Sequence, residues 1–180
     1  MEKIDLGEFI EEVMFKFNQN RIGAKPTVLA KIPPDLPHIF WHDDGLEKFI
    51  KAFLYDALLM NNPEMPVRII VHERTRLTDL EGFVGVSSLY WIQLRIEGHG
   101  PGMIQNHVEE RLNELGYRCE EWVGVEGSHA QLAIFTPLEK NGPKMVFCID
   151  VVRTMWKCDF LIPISEKLLL PSFSSPRKKP

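Results

Sequence analysis

The chain has 180 residues, 44% of them hydrophobic and 26% charged, which is ordinary for a soluble globular protein and enough for one domain with a sizeable core. A formal net charge of -4 gives no global attraction to nucleic acid or an anionic membrane surface. No stretch reads as a signal peptide, and no apolar run approaches the roughly 18 residues of a membrane span. Three cysteines, Cys119, Cys148 and Cys158, lie in apolar strand-like contexts without C-x-x-C spacing, as expected of reduced, buried thiols in a cytoplasmic protein.

Asp5 to Asn20 has helical spacing, with Leu6, Phe9, Ile10, Val13, Met14 and Phe17 on one face and Asp5 with Glu8 as a capping box. Thr27 to Ile32 reads as a strand. Pro33, Pro34 and Pro37 then impose an extended connector before a short apolar piece, Ile39 to Trp41. A second helix is capped by Asp43 or Asp44, carries a wide apolar stripe from Leu46 to Leu58, and ends at Asn61-Asn62-Pro63. Val67 to Glu73 and Leu89 to Ile96 are expected as antiparallel strands, separated by a polar loop over Arg74 to Ser88. A third helix runs from Ile104 to Leu115 and stops at Gly116. Strands follow at Tyr117 to Val123, Gln131 to Thr136 and Met145 to Val152, the last two flanking the turn signal Asn141-Gly142. Phe160 to Ile164 is expected as an edge strand, Ser165 caps a short apolar helix through Leu170, and Ser172 to Pro180 forms a mobile basic tail. The expected boundaries are a domain over residues 1–153 and a C-terminal extension over 154–180. Helices on one face of a mixed sheet make this an α+β, two-layer sandwich.

The most informative stretch is Arg95 to Met103, R-I-E-G-H-G-P-G-M, placed between a strand and a helix. That layout lets backbone approach a phosphate or nucleotide, although glycines also serve tight turns for purely conformational reasons.

The order of pieces resembles the ATP-binding domain of bacterial sensor histidine kinases, the GHKL-type fold. Asp5-Leu6-Gly7-Glu8-Phe9-Ile10 resembles the family's opening "D-L-x-x-x-[IVL]" helix, and Pro33-Pro34-Asp35-Leu36-Pro37 its "P-x-x-L-P" connector. Asp43 followed by Leu46-Glu47-Lys48-Phe49-Ile50 resembles the start of its asparagine-motif helix, and Gly98-His99-Gly100-Pro101-Gly102-Met103 its "D-x-G-x-G-[IM]" motif. The resemblance runs from Ile4 to about Val152.

The departures are equally specific. Where the family's "N-L-L-x-N-A" motif holds magnesium with its last asparagine, Ala52-Phe53-Leu54-Tyr55-Asp56-Ala57 places Asp56. An aspartate could still offer a hard oxygen to magnesium, or could be a solvated acid on a helix. Leu59 stands where a basic residue usually follows. Gly98 stands where the family's aspartate reads adenine. Loss of that charged hydrogen bond weakens base binding by roughly 1.5–3 kcal/mol, about ten- to a hundredfold. Glu97, if the register slipped, and His99 are the candidate substitutes. No lid-length segment separates Met103 from the third helix, so phosphate-binding amides are missing. Gly127 to Leu132 reads as a loop entering a strand.

The vestigial nucleotide-binding candidates are therefore Asp56, Gly98, His99, Gly100 and Gly102, with no catalytic residue and no metal set. ATP with magnesium is the one cofactor the resemblance implies, and only weakly. Its first helix has no histidine and no phospho-accepting helix pair precedes it, so a complete sensor kinase is not expected. His38 and His42 lie in an extended segment and do not form a zinc pair. Tyr90, Trp91 and Trp122 are expected in the core, and Arg177-Lys178-Lys179 is a solubilising end. The expected function is a degenerate, non-catalytic regulatory or protein-interaction module in bacterial signalling, inactive as an ATPase or kinase on its own. Its partner would be a kinase, a response regulator or a transcription factor, with no nucleic acid or membrane partner. The alternative is a divergent nucleotide-binding or phosphotransfer protein using the remnant pocket.

Overall fold

The computed structural model describes residues 2–19, 28–75, 90–139 and 142–164. The opening helix forms because its apolar residues recur on one face. In α1 (Leu6–Gln19), Leu6, Ile10, Val13, Met14 and Phe17 are all buried. The Asp5 carboxylate accepts the Gly7 and Glu8 amides at 3.0 and 3.1 Å, a cap whose removal costs about 1 kcal/mol. Helix α2 (Asp43–Met60) starts differently from expectation. His42 occupies its cap position without a side-chain capping bond, its carbonyl taking the Leu46 amide, so Asp43 and Asp44 fall in the first turn. That start places Leu46, Phe49, Ile50, Phe53, Leu54 and Ala57 in the core. Helix α3 (Gln105–Glu114) buries Val108 and Leu112 and stops at Gly116, whose φ of 83° suits a residue without a side chain.

A strand not anticipated, β1 (Glu2–Ile4), pairs antiparallel with β3 (Ile39–Trp41). The main sheet holds β2 (Val28–Lys31), β4 (Val67–Thr75), β5 (Tyr90–His99), β6 (Tyr117–Gly124), β7 (Gln131–Pro137), β8 (Met145–Val152) and β9 (Met155–Pro163). Their order is β2-β4-β5-β9-β8-β7-β6; β2 and β4 are parallel and the other neighbours antiparallel, so the sheet is mixed. The helices cover one face, giving the expected α+β sandwich, with Phe49, Phe53, Phe147 and Phe160 packed ring to ring at its centre.

The last strand is the main correction to the fold. The stretch expected as an edge strand at Phe160 to Ile164 belongs to a longer strand that lies centrally, between β5 and β8. The sheet therefore runs through residue 163, past the expected boundary at 153. Alternation along β9 conceals this in the sequence, because Cys158, Phe160 and Ile162 face the helices while Asp159 and Leu161 face the other side. That other side is buried at its centre, where Trp91, Val146, Leu161, Gln93 and Asp159 lie, and exposed toward the β8–β9 hairpin. Arg95 and Asp159, opposite each other in register, form a two-bond ion pair at 2.7 and 2.9 Å on it. The expected Arg74 to Ser88 loop falls mostly outside the described residues. Asn141, the Ser165 to Leu170 helix and the Ser172 to Pro180 tail lie wholly outside them.

Candidate functional site

Three of the singled-out glycines stand at the end of β5, and the structure gives each a packing reason. A Cβ on Gly98 would lie 2.3 Å from the Asn61 side-chain oxygen and 2.6 Å from Cζ2 of Trp156. A Cβ on Gly102, whose φ is 76°, would lie 2.7 Å from Cβ of Trp156, and one on Gly100 would lie 2.6 Å from the Met60 carbonyl oxygen. The close approach that these glycines permit is made by the protein to itself. The Trp156 indole is fully buried against them, and its Nε1 hydrogen has no partner among the described residues.

Asn61 ties the same turn to the end of α2. Its Oδ1 accepts the His99 amide at 2.7 Å, and its Nδ2 donates to the carbonyls of Met65 and Asn62 at 2.6 and 3.0 Å. The Gly100 amide donates to the Thr154 carbonyl at 2.8 Å, fixing the turn to the β8–β9 hairpin. Glu97 does not slip into the place of Gly98. It lies on the opposite face of the sheet, 3.7 Å from Arg68, as strand alternation requires. His99 contributes backbone to the turn and lines a cavity near the hairpin.

Asp56 is bound by α3. Arg111 of α3 donates to both its oxygens, at 2.7 and 2.8 Å, and also to Glu114 at 2.6 Å. The hydrogen bond to Asp56 is the main cause that keeps the Arg111 guanidinium above its ordinary range. Asp56, Met60, Met103, His107 and Arg111 border a cavity of about 200 Å³ between α2 and α3, below the ~300 Å³ where small-molecule sites begin. Two residues, Met103 and Ile104, separate Gly102 from α3. Thus the five expected site residues divide into two places: the glycines and His99 at the β5 turn, and Asp56 beside α3. Among the described residues no group of three His, Cys, Asp or Glu is arranged to hold a metal ion, and no helix is long and apolar enough to cross a membrane.

Asn61, Arg111 and Trp156, the residues that define this corner, were not legible as site residues. Asn61 reads only as part of a helix stop, Arg111 only as a position within the third helix, and Trp156 only as part of the expected C-terminal extension. Each acquires its role from a partner 38 to 58 residues away, and no local pattern encodes that.

The cysteines are free. Cys158 is buried, and Cys119 and Cys148 are half-buried. Burial, reinforced by Glu109, pushes the Cys119 thiol up to about 11; burial with Asp159 and Asp150 nearby pushes Cys148 up to about 12. Trp91 is fully buried; Trp122 packs edge-on against Phe147 and Phe135 and donates to Glu109.

No family model matches the chain, and no curated protein matches it in sequence. Among solved structures it is similar to the Acinetobacter baumannii histidine kinase AdeS, over 91% of this chain and 67% of that one, at 11% identity and a TM-score of 0.47.

Proposed function

We propose that the chain is a non-catalytic regulatory or protein-interaction module built on a degenerate histidine-kinase-type ATPase fold. The observation that carries this reading is the filled glycine turn. Trp156 and the Asn61 amide occupy the space that Gly98 and Gly102 leave open, where a base would have to enter. The ion pair of Asp56 with Arg111 supports it further. A magnesium ion at Asp56 would have to displace a two-bond guanidinium contact and leave Arg111 with Glu114 alone. The short Met103–Ile104 link leaves no segment at that point to bring amides to a γ-phosphate. The sequence motifs motivate a signalling protein as partner, in the class of kinases, response regulators or transcription factors.

Calorimetric titration with magnesium-ATP and magnesium-ADP tests the reading, on the unmodified chain and on Asp56→Ala. Expected is no saturable heat at millimolar nucleotide from either. Tight binding abolished by Asp56→Ala would overturn the reading in favour of a divergent nucleotide-binding protein.

A further inference from the structure

A cavity larger than the one beside Asp56 lies at the β8–β9 hairpin, next to the filled turn. It measures about 610 Å³, within the ~300–1,000 Å³ range of small-molecule sites. Val152 and Met155, 46% and 43% exposed, form its apolar wall. Arg153, Lys157, Thr154 and His99 supply polar groups. Neither Arg153 nor Lys157 makes an ion pair among the described residues, although Lys157 stands in register between Asp150 and Glu97. Asp150, also on the cavity wall, has one oxygen sealed from solvent without a hydrogen-bond partner. With His99 neutral, the fixed charges bordering the cavity sum to one positive, in a chain of net charge -4.

The hairpin backbone adds a separate observation. Val152 pairs with Met155, so Arg153 and Thr154 form a two-residue turn, and Arg153 has a φ of 56°. Glycine takes that conformation without strain, whereas arginine is disfavoured there. The hairpin is rigidly seated, since the Thr154 carbonyl accepts the Gly100 amide and the His99 amide is held by Asn61. A strained cation on a fixed turn, a second unpaired cation beside it and an apolar wall form one recessed surface.

We propose that this hairpin cavity binds a small amphipathic anion, an acid group on a compact apolar body. The acid group meets Arg153 and Lys157, with Thr154 and His99 as additional donors, and the apolar body lies on Val152 and Met155. None of Asp56, Asn61, Gly98 and Trp156 borders this cavity, so anion binding there is read separately from nucleotide binding.

Calorimetric titration of the full chain with benzoate and with phenyl phosphate tests this. The two probes share a ring and differ in the acid, and benzylamine serves as the cationic counterpart. Saturable millimolar or tighter binding of at least one anion is expected, with the preferred probe showing whether carboxylate or phosphate is favoured. Benzylamine is expected not to saturate. Lys157→Met should weaken the preferred anion about ten- to a hundredfold, the loss of one charge-assisted bond. Arg153→Gly should weaken it similarly while raising the melting temperature, because the strain is relieved; this separates lost binding from lost folding. Failure of both anions to saturate, equal binding of benzylamine, or unchanged anion binding in both variants would overturn the proposal.

Discussion

Replacing Gly98 with alanine distinguishes a glycine kept for a ligand from one kept for the protein's own packing. The added methyl would sit 2.3 Å from Asn61 Oδ1 and 2.6 Å from Trp156 Cζ2. Neither neighbour is free to yield: Oδ1 holds the His99 amide, and Trp156 is fully buried. Overpacking of this kind costs about 1–3 kcal/mol, and leaving the His99 amide unpaired adds about 1 kcal/mol. Alanine's better intrinsic fit to a strand returns about 0.5–1 kcal/mol. The net expectation is about 1–3.5 kcal/mol of destabilisation, or about 2–14 °C in melting temperature for a chain of this size. Urea unfolding followed by tryptophan fluorescence and circular dichroism measures it. Asn61→Ala removes one of the two clashing groups, so Gly98→Ala should cost less in that background than in the parent. A Gly98→Ala variant as stable as the parent would refute the packing account and restore a ligand-related reason for the glycine.

Further outcomes follow from the same contacts. Trp156→Ala should lose about 3–5 kcal/mol by opening a large cavity. Trp156→Phe should lose much less, because it also removes an indole N–H with no partner; comparing the two by chemical denaturation checks this. Asp159→Ala leaves the Arg95 guanidinium without its two-bond partner on a covered face and should cost about 3 kcal/mol or more. Replacing Arg95 and Asp159 together with methionine and leucine should cost less than the single change. Cys119 and Cys148 should alkylate slowly with iodoacetamide at pH 8 and faster as pH rises toward about 11 and about 12. Because their folded thiols hold protons that the unfolded chain releases above its ordinary thiol value, their contribution to stability is present below that value and falls as pH rises through the folded ones. A rate already maximal at pH 8 would contradict their burial.

Elements whose pattern is local were legible before the structure. The apolar face of α1, the Asp5 cap, the wide stripe of α2 and the Gly116 stop each depend on residues within a few positions of one another. The antiparallel pairing of β4 with β5 was legible for the same reason, as two apolar strands neighbouring in sequence. Less legible was β9, whose first residues fell within the expected C-terminal extension and whose pairing partners, β5 and β8, are set only by the folded sheet.

The sequence by itself determined that there is an α+β domain with a glycine turn at Gly98 to Gly102, because periodicity, caps and glycines act through neighbouring residues. It also determined that the turn carries no acid at Gly98. What occupies the turn was decided only by tertiary structure. Inserting β9 between β5 and β8 brings Trp156 opposite Gly98, and packing α2 and α3 on the same face brings Asn61 to His99 and Arg111 to Asp56. Those contacts join residues dozens of positions apart, and their energies exist only once the chain has closed on itself.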